Sequence, residues 1–308
     1  MITSAALSAG ALRAALSGIS GILVTPFDRD DRPAPARLAP IIDRATRAGV
    51  HALTVNGNTS EFYSLTADEA LLMARAVPEL VAGRAPVIAG VGRSIGEATA
   101  LAKASVAAGA SALMVHQPPD PFVAPRGVLD YVRRIAAAGD GTPVVLYLRN
   151  DAIGTATIAE LCRIEGVFGV KWATPNPMNL ARAIADAPEG VTWVAGLAEV
   201  WAPPLYAVGA RGFTSGLINV WPERSVAIHA ALAAGDYGAA NALIRDMRAF
   251  EDIRAEEQGG ANVTGVKAAL METGLDCGPA RPPAAWPLSP GQLRRMRAFL
   301  TANRIGGR

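Results

Sequence analysis

The chain has 308 residues, 51% of them hydrophobic and 18% charged, with a formal net charge of +2. That supports one large α/β unit with a substantial core and excludes a disordered polymer. No basic run or aromatic-interleaved patch occurs, so no nucleic-acid partner is expected. No uninterrupted apolar run of about 18 residues occurs either, so no membrane span is expected.

Residues 1–17 are rich in Ala and Leu but begin without a basic segment, and Arg13 interrupts them. They read as a helical lead-in rather than a secretory leader. Eight short apolar runs then recur: Ser20–Phe27, His51–Asn56, Pro86–Val91, Ala112–His116, Pro143–Leu148, Val167–Trp172, Thr192–Ala195 and Gly212–Ser215. They are apolar throughout rather than alternating, as in parallel strands covered on both faces. Helical patterns lie between them, among them Leu38–Ala48, Ala67–Leu80, Gly96–Ala108, Pro125–Ala138 and Met178–Ala187. Thr66 followed by Asp68 and Glu69 is a helix start signal. The Ala-Gly pairs ending at Gly49 and Gly109 are helix stops, since glycine adopts the left-handed conformation freely. Eight evenly spaced units predict a (β/α)8 TIM barrel over residues 18–221 in preference to a doubly wound sheet.

From Pro222 the strand signals end. Helical patterns at Pro222–Ala234, Tyr237–Glu257, Asn262–Thr273 and Ser289–Ala302 predict a C-terminal helical extension, residues 222–308, packed on the barrel. Gly278–Pro283 reads as a stiff loop inside it. Cys162 and Cys277, the two cysteines, make no disulfide framework, which suits a cytoplasmic protein.

Only three of the 29 basic residues are lysines: Lys103, Lys171 and Lys267. Lys171 closes the apolar run Val167–Trp172. Burial disfavours the ammonium form, and a neutral amine attacks carbonyls to form a Schiff base. In a (β/α)8 barrel the reactive groups project from the C-terminal strand ends. Here those ends are Thr25–Phe27, Asn56–Glu61, Gly90–Gly92, His116-Gln117, Tyr147, Lys171, Gly196 and Ser215-Gly216. Tyr147 and Lys171 end consecutive strands, and a phenol beside an amine serves proton transfer during carbinolamine formation and dehydration. The small-residue loop Gly57-Asn58-Thr59-Ser60-Glu61 offers N–H and hydroxyl groups to a carboxylate. His51, His116 and His229 are scattered, so no metal site is expected. Gly90–Gly96 lacks the spacing and the following acid of a dinucleotide loop, so no nicotinamide cofactor is expected. Lys103 and Lys267 read as structural, and Asp120 and Glu199 are acid/base candidates by position alone.

Taken in order, Gly21–Phe27 (GILVTPF), Gly57–Glu61 with Leu65-Thr66, Pro86–Gly92 (PVIAGVG), Tyr147, Gly169-Val170-Lys171, Val266–Leu270 and Arg281-Pro282-Pro283 resemble the dihydrodipicolinate synthase / N-acetylneuraminate lyase family of Schiff-base barrels. The resemblance runs from about residue 18 to 300. It implies Lys171 as the imine-forming lysine, Tyr147 as the proton-relaying hydroxyl, and Thr59 and Ser60 as the holders of a 2-oxo acid carboxylate. Gly57, Asn58, Arg149, Gly196 and Ser215 complete the expected substrate-binding set. The covalent lysine imine replaces any cofactor, and the family implies a homo-oligomer, a tetramer or a dimer.

Three departures narrow the activity. Asn58 and Ser60 stand where the family motif carries a hydroxyl and a glycine. The aromatic hydroxyl that the synthases place after the fourth strand is missing from Gln117–Phe122. The arginine expected a few residues after Tyr147 is replaced by the run Leu148–Ala152. Dihydrodipicolinate synthesis is therefore not expected. Tyr147–Ala152, Ala195-Gly196-Leu197 with Glu199, and Gly278–Pro283 look closer to the 5-dehydro-4-deoxyglucarate dehydratase branch. The resemblance implies a lyase that dehydrates a 2-oxo-3-deoxy or 5-dehydro-4-deoxy sugar acid. A pyruvate-releasing aldolase and a catalytically impaired sugar-acid-binding barrel are the alternatives. Arg149 would then meet either a second substrate carboxylate or Asp151.

Overall fold

The computed structural model describes residues 8–306. A short helix α1 (Ala9–Leu16) leads into β1 (Ile19–Ile22), α2 (Ala39–Ala48), β2 (Ala52–Val55), α3 (Ala67–Val81), β3 (Val87–Val91), α4 (Ile95–Ala107) and β4 (Ala112–His116). There follow α5 (Pro125–Ala138), β5 (Val144–Leu148), α6 (Thr155–Cys162), β6 (Val167–Trp172), α7 (Pro177–Asp186), β7 (Thr192–Ala195), α8 (Ala198–Ala207) and β8 (Gly212–Ser215). The chain continues as α9 (Pro222–Ala233), α10 (Tyr237–Ala255), α11 (Asn262–Glu272) and α12 (Pro290–Ala302). The eight strands pair in parallel and in sequence order, and β8 closes on β1. This is a (β/α)8 barrel with a C-terminal helical part.

The strands are apolar on both faces because one face meets the barrel interior and the other the helices. Two buried clusters show this. Leu53, Val115, Leu146 and Trp172 face the helical ring, while Leu16, Ile88, Met114, Val145 and Val194 fill the interior. α3 starts on a capping box: the Thr66 hydroxyl accepts the Glu69 N–H and the Glu69 carboxylate accepts the Thr66 N–H. α2 ends at Gly49 with φ +91°, the left-handed stop its Ala-Gly pair predicts.

β1 is shorter than its apolar run. Beyond Leu23, whose N–H still donates to the Thr54 carbonyl of β2, the backbone turns to other partners: Val24 N–H donates to Asn219 Oδ1, and Phe27 N–H to the Cys277 carbonyl. The segment that leaves the ladder therefore ties the barrel to the C-terminal helices. α8 keeps helical geometry around Pro203 and Pro204, although each removes a helical N–H.

Candidate active site

Pairing of β5 with β6 sets Tyr147 directly opposite Lys171 at the C-terminal end of the barrel. The Lys171 Nζ lies 3.8 Å from the centre of the Tyr147 ring. Both residues are buried, yet both line a cleft of about 420 Å³ at the barrel mouth. Gly196 makes room for the lysine stem, since a Cβ there would stand 2.9 Å from Lys171 Cγ and 2.7 Å from the Trp172 carbonyl oxygen. A larger open groove of about 740 Å³ lies between α5 and α6 at the opposite end, next to Thr142 and Gly166, and holds none of the strand-end side chains.

Electrostatics favour a neutral amine at residue 171. Burial, followed by the nearby positive charge of Arg149, brings the Lys171 amine down to about 7. A large neutral fraction is thus present at neutral pH. The Tyr147 phenol goes the other way, pushed up to about 12 by burial, so it stays protonated and able to donate. Its oxygen accepts a hydrogen bond from Asn58 Nδ2 at 2.8 Å. Asn58 therefore orients the phenol, but an amide does not pass a proton on as a hydroxyl does.

His116 stands behind the Tyr147 ring, outside the lining of the cleft. Its Nε2 is 2.8 Å from the Asn56 carbonyl oxygen, which only accepts, so Nε2 carries the proton and Nδ1 is left as an acceptor. The Tyr63 hydroxyl, 3.3 Å away, is placed to donate to Nδ1. Burial lowers His116 to about 3, in keeping with a neutral ring. It packs against Phe62 and meets the Tyr147 ring edge-on, so it fixes the phenol from behind. Tyr63 was not among the sequence candidates. The signal available was the aromatic pair Phe62-Tyr63 directly after the small-residue loop.

The loop residues divide. Asn58 and Thr59 line the cleft. Ser60 does not: its hydroxyl donates to the Leu23 carbonyl at 2.6 Å and accepts the Gly57 N–H at 3.0 Å, and it is 1% exposed. The expected carboxylate contact by Ser60 is therefore corrected to a role in closing its own turn, with Gly57 as the other partner of that turn. Ser215 is corrected likewise. Its hydroxyl donates to Glu199 Oε1 at 2.5 Å, and the wall of the cleft on β8 passes to Thr214 and Gly216. Glu199 lies fully buried behind that wall, held also by the Ser225 hydroxyl, and burial raises its pKa. It does not line the cleft, so it has no position from which to act there as an acid/base group. Asp120 belongs to a separate rim groove, where its carboxylate accepts the Phe122 N–H.

Arg149 stands exposed at the rim of the cleft. Asp151, its expected competitor, instead accepts a hydrogen bond from Asn179 Nδ2 at 2.8 Å. Gln117 braces this segment by accepting the Arg149 and Asn150 N–H groups on one amide oxygen. Glu61, last in the loop, faces Lys267 Nζ of α11 at 2.5 Å, and both side chains are buried. Lys267 also donates to the Pro279 carbonyl, and Glu61 accepts the Arg281 N–H. The Gly57–Glu61 loop is thus pinned to the C-terminal helices, so Lys267 is structural with a direct bearing on the cleft that Asn58 and Thr59 line.

Comparisons with known proteins give the family and the fold. A sequence model of the dihydrodipicolinate synthetase family matches residues 15–303. The chain is 36% identical over 259 residues to a probable 5-dehydro-4-deoxyglucarate dehydratase of Streptomyces coelicolor, covering 82% of this chain and 79% of that protein. It is 34% identical over 276 residues to an uncharacterized DapA-like lyase of Halobacterium salinarum, covering 87% and 88%. The crystal structure of dihydrodipicolinate synthase from Bacillus clausii superposes with a TM-score of 0.91 at 35% identity, covering 95% of this chain and 99% of that one. The chain belongs to the dihydrodipicolinate synthetase family and is a lyase of the class I aldolase type.

Proposed function

We propose that this lyase dehydrates a sugar-derived 2-oxo acid of the 2-oxo-3-deoxy or 5-dehydro-4-deoxy type through an imine on Lys171. The observation that carries the reading is the buried Lys171 amine held over the Tyr147 ring inside the mouth cleft. Thr59 and the backbone of its loop take the substrate's own 2-oxo carboxylate and so fix the keto carbon against the amine. Attack by neutral Nζ forms a carbinolamine. Protonation of its hydroxyl by Tyr147 expels water and leaves the protonated imine. The iminium draws electrons from the adjacent carbon, whose proton passes to the Tyr147 phenolate. The enamine then expels the hydroxyl one carbon further on, which takes that proton and leaves as water, and the conjugated iminium so formed is the electron sink for loss of the far carboxylate as carbon dioxide.

Arg149, exposed at the cleft rim and not paired with Asp151, suits a second carboxylate at the far end of a diacid. That favours a diacid over pyruvate alone. The test is incubation with 5-dehydro-4-deoxyglucarate. Carbon dioxide with a semialdehyde supports the dehydratase, whereas free pyruvate shifts the assignment to an aldolase. Borohydride added with pyruvate should leave a covalent adduct on Lys171; a chain that traps no 2-oxo acid is a binding barrel, and the reading fails. The family resemblance also supports a homo-oligomer, to be checked by light scattering in solution.

A further inference from the structure

The side of the cleft formed by the C-terminal helices carries a built polar wall. Arg254, in the last turn of α10, is 6% exposed and still lines the cleft that contains Lys171. Its guanidinium donates through Nη1 to Glu251, through Nη2 to Asn262 Oδ1 at 2.6 Å, and through Nε to the Asn262 carbonyl at 3.3 Å. It lies flat against the end of β8: a Cβ on Gly216 would stand 2.5 Å from Nη2 and 2.9 Å from Cζ. Glycine at this position is what lets the guanidinium reach the mouth. Each terminal nitrogen keeps a second N–H with no protein acceptor among the described residues, and so does one oxygen of Glu251 lack a donor.

The charge at this wall decides what it can hold. Arg254 and Glu251 form a buried ion pair, and the neighbouring Arg248 and Asp252 form a second pair at 2.8 Å. The wall is therefore near neutral and offers N–H donors beside a carboxylate acceptor. A carboxylate ligand only accepts, and Glu251 repels it. A hydroxyl both donates and accepts, and meets both partners at once.

We infer that Arg254, positioned by Asn262 and Gly216 and paired with Glu251, reads a hydroxyl group on the carbon chain of the substrate, which makes the preferred ligand a polyhydroxylated 2-oxo acid. This rests on the imine reading, and three probes separate the two. Pyruvate has neither far carboxylate nor hydroxyl, 2-oxoadipate has the carboxylate alone, and 5-dehydro-4-deoxyglucarate has both. Half-saturation of borohydride trapping is measured for each by intact-protein mass. The wild type should hold the hydroxylated acid more tightly than 2-oxoadipate. Arg254→Met should weaken the hydroxylated acid about 10- to 100-fold, as for loss of a hydrogen bond to a charged group, and shift the other two by no more than about threefold. Gly216→Ala, which crowds the guanidinium while keeping every charged group, should give the same split and decides the matter if Arg254→Met does not fold. An unchanged preference in either folded variant overturns the inference, as does an equal loss for 2-oxoadipate, which would mean that Arg254 reads the carboxylate. Failure of the wild type to trap any of the three acids overturns the imine reading instead.

Discussion

Replacing Lys171 by Met should abolish imine formation and make the protein more stable. In an unfolded chain this amine titrates near 10.5, whereas in the folded protein burial brings it to about 7. Between those values the unfolded state binds the proton and the folded state largely does not, so wild-type stability falls as pH drops from 10.5 toward 7. At 1.36 kcal/mol per pH unit, the full gap corresponds to about 5 kcal/mol. Methionine fills the stem's volume with an uncharged group and removes this penalty; any attraction between the ammonium and the Tyr147 ring is already contained in the folded value. The net expectation is a variant about 4 kcal/mol more stable at pH 7, with the advantage shrinking steadily as pH rises toward 10. Denaturant unfolding of both proteins at pH 7, 8.5 and 10 reads it, and taking the difference cancels titrations they share. A variant no more stable than wild type at pH 7, or a difference indifferent to pH, would refute the claim that Lys171 is held against its own charge.

Other outcomes follow from the same geometry. The rate of borohydride trapping with pyruvate should rise through a midpoint near pH 7, because only the neutral amine attacks. Arg149→Gln should move that midpoint upward by removing a neighbouring positive charge; a midpoint unmoved would separate Arg149 from the amine. Tyr147→Phe should slow turnover by roughly a hundredfold or more while leaving slow trapping detectable, the pattern of a lost proton donor rather than a lost nucleophile. Glu61→Gln and Lys267→Met should each cost about 3–5 kcal/mol, since each strands a buried partner, and the double variant should cost clearly less than their sum. Additive losses in that cycle would dissolve the pair.

The barrel was legible because its strands announce themselves by composition and its reactive groups sit where strands end. Lys171 and Tyr147 could be read as neighbours from the spacing of two consecutive apolar runs, and the register confirms that they are. What could not be read is which way a strand-end or loop hydroxyl turns. Ser60 and Ser215 have the right residue type in the right place, but tertiary partners, the Leu23 carbonyl and Glu199, claim their oxygens. Arg254 stayed hidden for the opposite reason. On an arginine-rich helix it reads as one more solvated cation, and only its approach to Gly216, far back in the chain, places it in the cleft.

Two lysines are buried in this protein, and their partners give them different work. Burial lowers both amines. Lys267 faces the Glu61 carboxylate, which opposes that effect and holds the ammonium in an ion pair. For Lys171 the charged neighbour is the Arg149 guanidinium, which acts in the same direction as burial. A carboxylate brought to Lys171, as a Leu197→Glu substitution at the cleft wall attempts, should raise its midpoint and slow trapping at pH 7. The outcome that would refute this is a faster reaction at that pH, because an amine that gains reactivity from a nearby negative charge is not limited by its protonation.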